Sequence, residues 1–359
     1  MSAIRRATVT VELDAIEANV RAVCGFLPGI EIVGVTKVTC GSPEVARAML
    51  AGGATAIGES RLENIERMRA AGIEAPFWLL RATPPVLAAD TVRLADVSLA
   101  SEVVTVEALD RAAGNAGRPH AIVAMVDLGD LREGMLPERL PGFLDRVAAL
   151  SHIELLGIGT SLTCYGGVVP DEENLGELAR LADAAARRTG NPLVVSGGMS
   201  SSIDAALAGH LPQAVGNLRI GESIVLGVST VTREPLPGLR TDAITLDAPV
   251  IECGLKPSAP FGTIAQDAFG NSPEFEDRGE RRRAICAIGR QDAPPTGLKP
   301  LDPRIEVLGA SSDHLILDVH DLPEPPAIGE SIRFVPTYAA TLALFTSPYV
   351  DKRYVGGSV

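Results

Sequence analysis

The sequence predicts an α/β protein: a closed parallel (β/α)8 barrel of the TIM type, followed by a smaller, mainly β domain. Three observations predict it. Eight short apolar runs recur between residues 32 and 221, most of them separated by helix-like segments, and that alternation over that span closes into a barrel. From about Arg233 the rhythm stops, and prolines, glycines and short alternating runs take over. At 359 residues with 46% hydrophobic content, the chain is long enough for one large and one small well-cored domain. An open doubly wound sheet is the runner-up architecture. The expected boundaries are 12–232 for the barrel and 233–359 for the β domain, with residues 1–11 lending a strand to the latter.

Taken in order, an alternating run over 7–13 precedes a helical pattern over 13–27. Residues 32–37 then form an almost wholly apolar run ending in Lys37, as expected of a strand buried on both faces. Ser42-Pro43 reads as the N-cap and first residue of a helix that Gly52-Gly53 closes. After the strand 56–59, Ser60 with Glu63 reads as a capping box, and Leu62, Ile65 and Met68 give that helix its buried face. Further strands are expected at 77–81, 97–100, 121–127, 155–160, 193–196 and 218–221. The segment 84–92 departs most from the pattern, and the helix over 171–190 is the longest, with Leu175, Leu178, Leu181 and Ala182 inward. The β domain offers runs at 243–253, 282–288, 305–308, 315–319 and 331–335. Its connections at 266–281 and 291–303 exceed plain turns, which suits the lining of a site or an interface.

Charge and composition exclude several classes. A net charge of −13 repels a phosphate backbone, so no nucleic acid partner is expected. No stretch is long enough to span a bilayer and none resembles a signal-peptide core, so the expectation is a cytoplasmic protein without membrane partners. The five cysteines, Cys24, Cys40, Cys164, Cys253 and Cys286, show neither CxxC nor Cys/His spacing, which argues against a disulfide framework or structural zinc. Asp313, His314, Asp318 and His320 could be read as metal ligands, but strand alternation sends Asp313 and His314 to opposite faces, and no metal is expected.

In such barrels the reactive groups sit at the carboxyl ends of the strands. Lys37 falls there. A lysine held against apolar walls is desolvated, which favours the free amine, and a free amine forms an imine with an aldehyde; alone, it could equally snorkel to solvent. Residues 196–203, Ser-Gly-Gly-Met-Ser-Ser-Ser-Ile, follow a strand and open a helix, which suits a phosphate cradle as well as it suits an ordinary capped turn. Arg219-Ile220-Gly221 places a second turn at the next strand end. A phosphate cradle and an imine-forming lysine at one barrel mouth together suggest pyridoxal 5′-phosphate.

The same residues resemble the alanine racemase family of barrel-type pyridoxal-phosphate enzymes, and within it the alanine/ornithine racemase group. Val35-Thr36-Lys37 is similar to the strand ending in the Schiff-base lysine, and residues 53–63 to the stretch after the second strand. Residues 127–135 resemble the segment whose arginine, here Arg132, lies near the cofactor hydroxyl and the substrate carboxylate. Ser161 stands near the family's ring-packing histidine. The resemblance implies that Ser200, Ser201, Ile220, Gly221 and Tyr338 hold phosphate, and that Arg219 faces the pyridine nitrogen. A guanidinium is not a practical proton donor, so the ring stays a weak electron sink, which suits proton removal and return at Cα. It also implies a homodimer with shared active sites, in which Ser312 and Asp313 serve the partner's substrate.

Two departures follow. The ring-packing histidine is replaced by Ser161, and Phe269 falls where the family carries a tyrosine base. Racemisation needs acid/base groups on both faces of Cα, so a substitute is required: Asp267 first, with Asp313, Tyr165 and Cys164 behind it. Asp267, Asp292 and Asp313 would suit a second ammonium, which makes ornithine or lysine the expected substrate of a racemase that uses Lys37 on one face. A D-amino-acid lyase or decarboxylase on the same fold, or a non-catalytic binder of the cofactor, are the alternatives.

Overall fold

The structure, a computed structural model, describes residues 6–272 and 274–357. It divides into two compact units, one of residues 13–241 with 356–357 and one of residues 6–12 with 242–355. Residues 233–241, expected in the β domain, therefore lie with the barrel. The first strand, β1 (Thr8–Glu12), belongs to the second unit.

The barrel is closed and parallel. Its strands are β2 (Glu31–Val35), β3 (Ala56–Glu59), β4 (Phe77–Leu79), β5 (Val97–Ala100), β6 (His120–Met125), β7 (Ile153–Gly159), β8 (Val194–Met199) and β9 (Val215–Ile220), in that spatial order. β9 returns to β2 with Val33 opposite Arg219 and Gly34 opposite Ile220. Val33, Ala56, Trp78, Val97, Leu99, Val123 and Met125 pack into one cluster, while Ile32, Ile57, Phe77 and Ile122 on the alternate positions are buried too. Burial of both faces is the physical reason these strands read as unbroken apolar runs.

Local signals behaved unevenly. The helix Pro43–Ala51 starts as expected, with the Ser42 hydroxyl accepting the Val45 N–H at 3.3 Å. The helix Glu172–Thr189 carries a full capping box between Asp171 and Asn174. The capping box expected at Ser60 does not form: Arg61 is the N-cap of the helix Leu62–Ala70 without a side-chain cap, and the Ser60 N–H donates to Glu59 Oε1 at 2.6 Å instead. The segment around residue 85 begins as the 3-10 turn Pro85–Leu87 and becomes a helix over Ala88–Leu94. β8 runs three residues past its expected end, so the glycine pair Gly197-Gly198 lies in the strand.

The second unit is mainly β. Its remaining strands are β10 (Ile244–Pro257), β11 (Glu280–Cys286), β12 (Leu298–Pro300), β13 (Glu306–Ala310), β14 (Leu315–Asp318), β15 (Ser331–Pro336) and β16 (Asp351–Val355). The sheet order is β12-β15-β10-β11-β14-β13, and β1 pairs antiparallel with β10 and parallel with β16. A helix over Tyr338–Thr346, which the alternating pattern did not suggest, packs within this unit. No helix among the described residues is long and apolar enough to cross a membrane.

Candidate active site

Because all eight barrel strands are parallel, their carboxyl ends share one mouth. Lys37 stands two residues past β2, half-buried, and opens the 3-10 turn Lys37–Thr39. Among the described residues its amine has neither a hydrogen bond nor an ion pair. Glu222, just past β9, feels the charge of Lys37. Burial raises the Glu222 carboxyl above its ordinary range, and its salt bridge to Arg233 and the charge of Lys37 both oppose that rise.

Arg219 lies in β9, 3% exposed, with no acidic side chain in contact. Its Nη1 donates to the Ser196 hydroxyl, and its Nη2 to the Thr160 carbonyl at 2.5 Å and the Ser161 hydroxyl at 3.2 Å. The Ser196 hydroxyl donates in turn to Asn217 Oδ1 at 2.6 Å, so the guanidinium rests on neutral dipoles alone. Burial pulls it down to about 10, the nearby Arg132 charge pushes the same way, and Glu133 opposes. Nε is left without a hydrogen bond among the described residues. A buried cation held by neutral acceptors, with one donor uncommitted, is suited to face an acceptor atom of a ligand.

Arg132 sits on the loop after β6 and pairs with Glu133 at 3.3 Å. Two aspartates that the sequence reading did not single out organise this side of the mouth. Asp127 Oδ1 accepts the N–H groups of Gly129 and Leu131 at 2.9 and 3.2 Å, folding the Arg132 loop on itself. The carboxylate of Asp130, with no exposure, accepts the N–H groups of Cys164, Tyr165 and Val168 at 3.2, 2.8 and 3.2 Å, tying the loops after β6 and β7 together. Burial raises its pKa, but these backbone donors prevail and leave it below the usual carboxylate range. The signal for Asp130 was present, since an aspartate after a glycine can cap a loop, but its partners lie more than thirty residues away.

At the cradle, the Ser200 hydroxyl accepts the N–H groups of Gly221 and Ser223, each at 3.3 Å, joining the turns that follow β8 and β9. Ser201 Oγ is fully buried and has no partner among the described residues. Ile220 is buried at the end of β9. The helices behind the cradle, Ser202–Leu207 and Glu222–Leu226, are short, so individual donors rather than helix dipoles define it. Lys37, Arg132, Ser161, Ser200, Ser201, Arg219, Ile220 and Gly221 thus share the barrel mouth.

The other predicted residues lie in the β unit. Asp267 is exposed and holds its own turn, accepting the N–H groups of Phe269 and Asn271 at 2.8 Å each, and these hydrogen bonds, that of Asn271 foremost, press its pKa down. Phe269 lies under the Arg290 guanidinium, 4.4 Å from its ring centre. Asp292 is buried and accepts from Ser347 Oγ at 2.7 Å, which occupies it away from any ligand. Asp313 is exposed and meets His314 Nδ1 at 2.9 Å. The Arg290 and Gln291 N–H groups donate to the Ser311 and Ser312 carbonyls at 2.9 and 3.0 Å, which seats this turn on the 289–292 loop. Tyr338 is half-buried at the start of its helix. Asp318 is taken by Arg281 and Arg278, and no cluster of three or more His, Cys, Asp or Glu able to hold a metal occurs among the described residues.

The fold and mouth define a class: a (β/α)8-barrel protein that gathers at one mouth an amine and a buried guanidinium, both without an acidic partner among the described residues, and a hydroxyl-lined cradle. The chain belongs to the alanine racemase family, whose N-terminal-domain model, described as "Alanine racemase, N-terminal domain", matches residues 11–227. It is 38% identical over 348 residues to the ornithine racemase of Acetoanaerobium sticklandii, covering 96% of this chain and 98% of that protein. To the lysine racemase of Thermotoga maritima it is 39% identical over 347 residues, covering 96% and 97%. The fold matches a crystal structure of alanine racemase from Bartonella henselae with covalently bound pyridoxal phosphate, at a TM-score of 0.74 and 18% identity, over 98% of this chain and all of that one.

Proposed function

We propose that this protein is a pyridoxal-phosphate-dependent racemase of a free basic amino acid, ornithine or lysine, working in the cytoplasm as a homodimer. The observation that carries the reading is Arg219, a fully buried guanidinium without an acid, at the same mouth as an unpartnered Lys37. The residues present fit the cofactor: Ser201 Oγ is an orphaned buried hydroxyl at the cradle, and the Arg219 Nε–H is uncommitted. Ser200, Ser201, Ile220 and Gly221 would hold its phosphate, and Lys37 its aldehyde carbon. When bound, the cofactor supplies the electron-withdrawing ring that makes the substrate Cα–H acidic.

The chain's own groups then do the positioning and the proton work. Arg132 binds the substrate carboxylate. Arg219 would give the cofactor's ring nitrogen no proton, since a guanidinium is not a practical proton donor, and this would limit side reactions that a stronger electron sink allows. Lys37 Nζ takes and returns the Cα proton on one face. The opposite face needs a second group, and Asp313 suits it better than Asp267, whose carboxylate already closes its own turn. Relatives named as racemases of ornithine and of lysine support a basic substrate. The homodimer is supported by family membership and by Phe261, Ile264, Phe269 and Phe275, all exposed on the loop between β10 and β11.

The deciding experiment incubates the protein with a panel of L and D amino acids in heavy water and follows deuterium at Cα and configuration together. Uptake with inversion in ornithine or lysine is expected, and Lys37→Ala is expected to lose both this exchange and the visible band of the bound cofactor. Release of carbon dioxide or ammonia in place of inversion would refute the racemase reading, and a cofactor band retained by Lys37→Ala would refute the assignment of Lys37.

A further inference from the structure

We infer that Glu59 is a positioning residue for Lys37, clamping through Thr36 the turn that presents the amine. The inference rests on the reading of Lys37 as the cofactor-bearing residue. Glu59 ends β3 with its carboxylate wholly out of solvent, a placement that requires donors on both oxygens. Oε1 accepts the Ser60 N–H at 2.6 Å, and Oε2 accepts the Thr36 hydroxyl at 3.1 Å.

Thr36 is held at every polar atom. Its N–H donates to the Gly58 carbonyl at 3.0 Å, and its carbonyl accepts the Thr39 N–H and hydroxyl at 3.0 and 2.9 Å and the Gly41 N–H at 3.2 Å. Lys37 is the next residue. The turn that follows is strained, with Cys40 at φ 50° and Gly41 at φ 62°, a region unfavourable to any residue bearing a Cβ. It is also seated on a helix of another βα unit: a Cβ at Gly41 would stand 2.5 Å from that of Asn64, and Arg67 Nη1 donates to the Cys40 carbonyl at 2.5 Å. Such a turn keeps one conformation only where its surroundings over-determine it. Glu59 supplies the link between strand and turn, and so acts on the amine without touching the reacting atoms.

The test uses the full chain and pyridoxal 5′-phosphate as probe, trapping the adduct with borohydride and following its growth at Lys37 by peptide mass spectrometry, alongside kcat and KM. Thr36→Val removes only the hydroxyl link and leaves the Glu59 contact to Ser60 in place. It is expected to slow adduct formation and kcat by about tenfold with KM changed less than about threefold, since small misplacement of a reacting group costs rate rather than binding. Thr36→Ser restores both, and Glu59→Gln behaves as Thr36→Val. Wild-type adduct rates in a folded Thr36→Val overturn the inference and leave Glu59 as a structural acid only. If Glu59→Gln does not fold, the Thr36 pair still decides. Absence of a Lys37 adduct in the wild-type chain overturns the functional reading itself, so the two failures are distinguishable.

Discussion

Acid should destabilise the barrel through one buried histidine. His120 opens β6 with 1% exposure, its Nε2 is 2.8 Å from the Ser98 hydroxyl, and its Nδ1 has no partner among the described residues. Protonating the ring would bury a charge and an N–H without an acceptor, so burial lowers its pKa from 6.5 to about 4, the Arg118 charge adds to the fall, and Asp96 opposes it. The unfolded chain takes up this proton near pH 6.5 and the native chain only near pH 4, so the stabilisation is complete above 6.5 and is lost as pH falls between the two values. At about 1.4 kcal/mol per pH unit and proton, the whole loss is about 3 kcal/mol, of which about 2 kcal/mol falls between pH 7 and pH 5. That is a sizeable part of a stability of about 5–15 kcal/mol. The assay is urea unfolding followed by fluorescence of Trp78, the single tryptophan, which lies in the barrel cluster and pairs with Val97 beside Ser98. Referencing the wild type to His120→Gln cancels the carboxylates common to both. Parallel stability curves for the two proteins from pH 7 to pH 5 would refute the reasoning.

Two further outcomes are expected. Asp313→Asn should lower kcat for racemisation by about 10²-fold or more in both directions, since the group that takes the proton one way returns it the other, whereas Asp267→Asn should leave kcat within about tenfold while weakening its turn; initial rates from pure L and pure D substrate check this, and a larger loss in Asp267→Asn than in Asp313→Asn would reverse the assignment. Gly289→Ala would place a Cβ 2.2 Å from the Asp313 nitrogen and the Ser312 carbonyl oxygen, forcing that turn to move. A loss of about 1–3 kcal/mol, read from the denaturation midpoint by circular dichroism, should accompany a fall in kcat.

Much of the site was legible because its signals are local. Lys37 is a single charge at the end of an apolar strand, and the Gly/Ser turn after β8 and Arg219 in β9 are contiguous patterns whose spacing survives without knowledge of the fold. The misses share a cause. Ser60 carries a sound capping-box spacing with Glu63, yet Glu59 takes its N–H, because a carboxylate buried at the strand end needs donors more urgently than the helix needs a cap. Asp130 reads as one acid in a polar loop until the loop after β7 brings three N–H groups to it. Asp267 and Asp292 were attractive as free acids, and only their partners show how each is occupied.

By itself the sequence determined the order of the barrel's strands and helices, the closed barrel, the change to a β unit and the place of Lys37 just past the first barrel strand. Those follow from periodicity, turn chemistry and strand ends, which are properties of neighbouring residues. Tertiary structure decided the electrostatic character of the site. Arg219 meets Ser161 across 58 positions and Glu59 meets Thr36 across 23, and whether a buried charge finds an acid, a hydroxyl or nothing depends on which strand ends closure of the barrel brings together.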